Sequence, residues 1–174
     1  LRTAIKPLSI SDGVQSPVCH QYEAKACLLH VLVRTKEQFD VVCSLSIGDI
    51  YTEDEAFYMT HKSECPQLRL KTDRMADNPL RYAGERLLIT DTGGLHLYAA
   101  SNDAVLDYFV SALNAQTLSV LVKSEVLRIA ISPELDAEQT VHMIEAYRQQ
   151  NGQLPPLEAI VWGRRELMAM RHCL

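Results

Sequence analysis

The chain of 174 residues reads as an α/β protein made of parallel β/α repeats. Three observations predict this. Short apolar, β-branched runs, such as residues 28–33 (LLHVLV), 87–90 (LLIT) and 128–131 (RIAI), have the length of strands covered on both faces. Helix-sized stretches with N-terminal capping signals separate them. Polar residues gather just after the apolar runs, at the carboxyl ends of the strands, where α/β proteins place ligands and chemistry.

Residues 1–26 mix Pro7, Gly13 and Pro17 with Ser9, Ser11 and Ser16 without any period, and read as a lead-in or linker to a β/α domain over 27–174. Residues 28–33 are the first strand. Thr35 followed by Gln38 forms a capping-box pattern for a helix that buries Phe39, Val42 and Cys43. Residues 49–53 (DIYTE) supply a second strand and 56–61 a short helix. Residues 67–72 (QLRLKT) give a third strand, whose alternating charges suit a sheet edge. Residues 73–84, with Asn78 and Pro79, are too few for a crossover helix of about a dozen residues plus its turns.

Residues 87–90 form the fourth strand and end in Asp91, Thr92, Gly93 and Gly94; one or two helical turns over 95–100 lead to a fifth strand, 104–108, with Asp107 at its end. Asn114 is placed to cap a helix over 115–123 that shows Leu118, Leu121 and Val122 on one face. The sixth strand, within VLRIAI (126–131), turns through Ser132, Pro133 and Glu134 into a helix started by Asp136 and Gln139. Thr140, Met143, Ile144 and Tyr147 share a face of that helix. Gly152 ends it, and Pro155 and Pro156 bar continuation. Residues 157–162 give a seventh strand, followed by Gly163, Arg164 and Arg165. Seven strands alternating with helices, joined by right-handed crossovers, predict parallel β/α repeats forming an incomplete or irregular TIM-like barrel that lacks an eighth strand.

A net charge of -5 argues against a surface that binds nucleic acid through phosphates on its own. Five irregularly spaced cysteines without a CxxC argue against a disulfide framework or a zinc site, and point to a reducing cytoplasm. No apolar run approaches the roughly 20 residues that span a bilayer, so no membrane partner is expected. The absent initiator Met and the stop at Leu174 after an apolar segment suggest a domain of a larger protein.

Four segments carry a family resemblance: VLVRTKEQ (31–38), residues 107–114 with the following helix, RIAISPEL (128–135), and LEAIVWGRRELMAMRHC (157–173). In wording, order and spacing they resemble the C-terminal barrel-like half of the collagenase-like peptidases of unknown catalytic type, family thirty-two of the U class. The resemblance covers about residues 28–174, and its most specific parts are the SPEL turn and the GRRELM...HC tail. It implies a hydrolase or protease parent with a separate N-terminal half, in which this domain is not catalytic alone. Related members support oxygen-independent hydroxylation of RNA or of a quinone precursor. The implied partners are therefore other domains of the parent chain and an RNA or protein substrate. Some members hold an iron-sulfur cluster through cysteines. Here only Cys173 matches a recurring family cysteine, and the HGxxC motif of the N-terminal half is replaced by Trp162, Gly163, Arg164 and Arg165. The resemblance thus implies no cofactor within this chain and a cluster only in the parent.

The predicted strand ends place Arg34, Glu53, Asp91, Asp107, Glu134 and Arg164 on one rim. Of these, Arg34, Asp107, Glu134 and Arg164 are the candidate ligand-binding residues, for an anionic small molecule or RNA, or for acid-base work. The plainer reading makes Glu134 and Asp107 helix caps and pairs the arginines with them. Asp91-Thr92-Gly93 imitates the D-T-G of aspartic proteases, an alternative that requires a β-rich fold and a second copy. Its plainer reading is a tight turn. His172 beside Cys173 imitates a thiol dyad, but sequence neighbours seldom face each other, and Cys173 is better read as a buried residue or a metal ligand of the parent alone. Met168 and Met170 read as core filler.

Overall fold

The computed structural model describes residues 28–45, 47–72, 82, 84–98 and 103–163, apart from the side chains of Leu97 and Tyr98. The lead-in, most of the 73–84 crossover, Arg164, Arg165 and the tail with Met168, Met170, His172 and Cys173 lie outside these residues.

Seven strands form one sheet in chain order: β1 (Val31–Val33), β2 (Ile50–Thr52), β3 (Leu68–Lys71), β4 (Leu87–Ile89), β5 (Ala104–Leu106), β6 (Arg128–Ala130) and β7 (Leu157–Glu158). Every neighbouring pair is parallel. Helices α1 (Lys36–Cys43), α2 (Glu55–His61), α3 (Thr92–Tyr98), α4 (Ala115–Val122) and α5 (Ala137–Asn151) follow β1, β2, β4, β5 and β6.

Local signals start these helices. Thr35 caps α1 by accepting the Gln38 amide, Asp54 caps α2, and Asn114 caps α4 through the Thr117 amide at 2.8 Å. Asp136 and Gln139 exchange side-chain and backbone hydrogen bonds in a capping box on α5. Gly152, at φ +75, ends α5 in the left-handed region.

One face of the sheet, through Ile50, Leu68, Leu70, Leu87, Ile89, Ala104, Leu106 and Ile129, packs under the helices with Phe39, Tyr58, Leu118, Met143 and Tyr147. Tyr51, Leu88 and Val105 make a separate small cluster from the other set of alternating positions. The curvature follows from what meets on that second face. The Tyr51 hydroxyl of β2 donates to Glu158 Oε2 of β7 at 2.8 Å. In a flat sheet these strands would stand five steps of about 4.8 Å apart, roughly 24 Å. The sheet is therefore curled into a half-barrel, with Tyr51, Leu88 and Val105 on its inner wall.

Several expectations need correction. β3 is an internal strand, between β2 and β4, although its charges suited an edge. With helices over the outer face, alternate charged residues must point into the curl, and the Arg69 side chain is only 6% exposed. β7 is limited to Leu157–Glu158, and Ile160, Val161 and Trp162 beyond it are exposed. β1 begins at Val31, with Leu28 and Leu29 exposed, so the first apolar run is covered only in part. α3 starts at Thr92 instead of 95, because Asp91 accepts the Gly94 amide and begins the helix there.

Gly48 has a steric role at the entry to β2. A Cβ there would lie 2.5 Å from His30 Cε1 and 2.7 Å from His30 Nδ1. Gly48→Ala is expected to lower stability by about 1–3 kcal/mol, as overpacking does. Urea denaturation checks it, and the penalty should shrink in a His30→Ala background.

Candidate functional site

Two polar layers occupy the inner face. The lower one lies toward the amino ends of the strands and centres on Asp49, which directly precedes β2 and is buried. Its Oδ2 takes an ion pair with Arg69 Nε at 2.8 Å and accepts a hydrogen bond from Arg128 Nη2. The Arg69 Nε contact is close but off the N–H direction, so it acts through charge rather than as an aligned hydrogen bond. Arg69 also donates from Nη1 to the Asp103 carbonyl at 2.5 Å, and from Nη2 to its carboxylate at 3.3 Å. Arg128 donates from Nε to Glu158 Oε2 at 3.2 Å and from Nη2 to the Tyr51 hydroxyl at 3.3 Å. β2, β3, β6 and β7 thus contribute to one network, closed by the Tyr51–Glu158 bond.

The electrostatics of this layer are self-satisfied. Burial alone would raise the Asp49 carboxyl, but Arg69 and Arg128 outweigh it and hold the group below its ordinary 3.8. Burial first, then Glu158, pushes the Tyr51 phenol far above its ordinary range, so it stays a neutral donor. Arg128 is raised despite its own burial by Tyr51 and Asp49.

His30 is lowered from 6.5, first by burial, with Arg128 and Arg69 pushing the same way against Glu158 and Asp49. Its Nδ1 accepts the Asp49 amide at 2.8 Å, which requires that nitrogen to be unprotonated. The consequence for stability has a definite sign. The unfolded chain takes up the His30 proton at a higher pH than the folded chain does. Stability is therefore lost as pH falls from about 6.5 to the folded value, and is level below it. The Asp49 contribution persists above 3.8 and is lost only as pH falls below that. Urea midpoints should fall between about pH 7.5 and about pH 5, and His30→Gln should flatten that step.

The upper layer lies at the carboxyl ends. Lys71, the last residue of β3, places Nζ 2.9 Å from Glu53 Oε1 and 3.8 Å from Asp107 Oδ2. Arg34 Nε lies 3.7 Å from Glu53 Oε2 with a side chain 65% exposed. Burial would lower Lys71, but Glu53 and Asp107 raise it, so it is held as an ammonium. That suits charge bridging and not a nucleophilic or basic amine. Asp107 is buried and also caps the 3-10 turn Tyr108–Val110, accepting the Tyr108 amide at 2.7 Å.

Of the rim residues expected from sequence, Arg34, Glu53 and Asp107 are brought together through Lys71. Glu134 sits exposed in the turn after β6, its amide donating to Ser132 Oγ at 3.4 Å. Asp91 Oδ1 accepts the Gly94 amide at 2.7 Å as the start of α3. Arg164 lies outside the described residues. Sequence reasoning missed Lys71 and the whole lower layer. The available signal was polar or charged residues at alternate positions, in Asp49/Tyr51/Glu53 and Arg69/Lys71, interleaved with apolar Ile50, Leu68 and Leu70.

An iron-sulfur cluster takes about four thiolates. The described residues include two cysteines, Cys43 and Cys65, fewer than a cluster takes, while Cys19, Cys27 and Cys173 lie outside them. Among the described residues no group of three or more His, Cys, Asp or Glu could hold a metal, and no helix is long and apolar enough to cross a membrane. No family model, curated protein or solved structure matches the chain.

Proposed function

We propose that this chain is the C-terminal barrel-like domain of a collagenase-like peptidase family protein, and that it supports and docks to other parts of that protein instead of carrying out chemistry alone. The observation that carries this reading is the pairing of the inner face's charges with one another. Lys71 is held between Glu53 and Asp107, and Asp49 between Arg69 and Arg128. A general acid or base needs a group poised near the working pH. Here Lys71 and Asp49 are fixed in their charged forms, and Tyr51 and His30 in their neutral ones. Two of the family-like segments coincide with strand-to-helix transitions: residues 31–38 span β1 and the start of α1, and residues 128–135 span β6 and the turn before α5. In this reading an iron-sulfur cluster and an RNA or protein substrate belong to the rest of the parent.

The test is direct. Purified protein is incubated with fluorescein-labelled gelatin and with casein, and titrated with a short RNA. The expected result is no cleavage and no saturable RNA binding. Cleavage lost in Asp91→Asn would establish the aspartic alternative in its place, and RNA binding lost in Arg34→Ala would make the rim a nucleic-acid site.

A further inference from the structure

We propose that Cys43 and Cys65 form a reversible disulfide that ties α1 to the α2–β3 connection when the protein meets a disulfide oxidant such as oxidised glutathione. Their sulfurs lie 3.8 Å apart. Cys43 is the last residue of α1 and is exposed, while Cys65, just before β3, is buried. The backbone around Cys65 is fixed on both sides, because its amide donates to the His61 carbonyl at 3.0 Å and its carbonyl accepts the Leu68 amide at 3.0 Å. A disulfide needs a separation of about 2.05 Å, so the sulfurs must close by roughly 1.8 Å. The exposed end of α1 supplies the freedom for that movement. The bridge would enclose β2 and α2 and connect the first two β/α units, including the outermost strand β1.

Exposure decides the order of events. The Cys43 thiolate attacks one sulfur of glutathione disulfide, the glutathione S–S bond breaks, and the released glutathione thiolate takes up a proton. Cys65, deprotonated in turn, attacks the Cys43 sulfur of the mixed disulfide and expels the second glutathione. Two protein thiols lose two electrons, and one glutathione disulfide becomes two glutathiones. Although the residue as a whole is exposed, its sulfur is partly covered where it meets Cys65, and that desolvation, then Cys65 itself, pushes the Cys43 thiol up to about 11. Its reactive thiolate is therefore scarce at neutral pH, and the rate rises about tenfold per pH unit below that value.

The full chain is treated with oxidised glutathione, quenched in acid, digested without reductant and mapped by mass spectrometry, while thiols are titrated in denaturant. Cys43 and Cys65 should both be lost as thiols, with a Cys43–Cys65 linkage as the main product of that pair. The melting temperature should rise by roughly 5–10 °C and return on reduction. Cys43→Ser, at an exposed position, should keep the fold but lose both the linkage and the rise in melting temperature. Cys65→Ala should stop at a glutathione adduct on Cys43. Oxidation that leaves Cys43 and Cys65 as thiols, halts at the adduct in the unsubstituted chain, or joins either one to Cys19, Cys27 or Cys173 would overturn the proposal.

Discussion

Replacing Asp49 by Ala is expected to destabilise the protein by about 3–5 kcal/mol, the scale for removing one partner from a buried ion network. The carboxylate sits between Arg69, whose side chain is 6% exposed, and Arg128, and its loss leaves two guanidinium groups facing each other inside the curl. Charge repulsion and desolvation then act together. The exposed pair Lys36–Asp40 is the natural control, because both side chains are more than half exposed. Lys36→Ala should cost no more than about 0.5 kcal/mol. Urea unfolding of both variants checks the contrast, and similar costs would mean that the Asp49 network is solvated.

Leu106→Ala should cost about 2–5 kcal/mol. Leu106 is fully buried in β5, with Ile89 of β4 and Ile129 of β6 as its register partners on either side. Strands fixed on both sides cannot collapse into the cavity, so the cost should fall in the upper part of that range. Val141→Ala, on the half-exposed side of α5, should stay within about 0.5 kcal/mol. Thermal or urea unfolding separates the two.

The fold was more legible in the sequence than the site. Helix starts at Thr35, Asn114 and Asp136 are local events, a side-chain oxygen meeting an amide two or three residues on, and they stand where the residue types placed them. The apolar runs 87–90 and 128–131 contain strands because both of their faces are covered. The strand 67–72 misled for a physical reason. Alternating charge usually marks a face in water, whereas a sheet curled under helices has a second enclosed face, and Arg69 and Lys71 lie on it with partners beside other strands. Those partners, Asp49, Asp103, Glu53 and Asp107, flank β2, the neighbour of β3, and β5, two strands away, so they meet through strand pairing between segments far apart in sequence, a long-range property that no local pattern encodes. The same limit explains Cys43 and Cys65, 22 residues apart in sequence and 3.8 Å apart in the fold.

The half-barrel itself is tested most directly by a double-mutant cycle between Tyr51 and Glu158, residues 107 apart in sequence whose side chains share a 2.8 Å hydrogen bond. Tyr51→Phe, Glu158→Ala and the double variant are unfolded in urea beside the parent. The curl predicts a coupling of about 1.5–3 kcal/mol, as for a hydrogen bond to a charged group. Additive costs, with coupling below about 0.3 kcal/mol, would contradict it and place β2 and β7 apart on an open sheet.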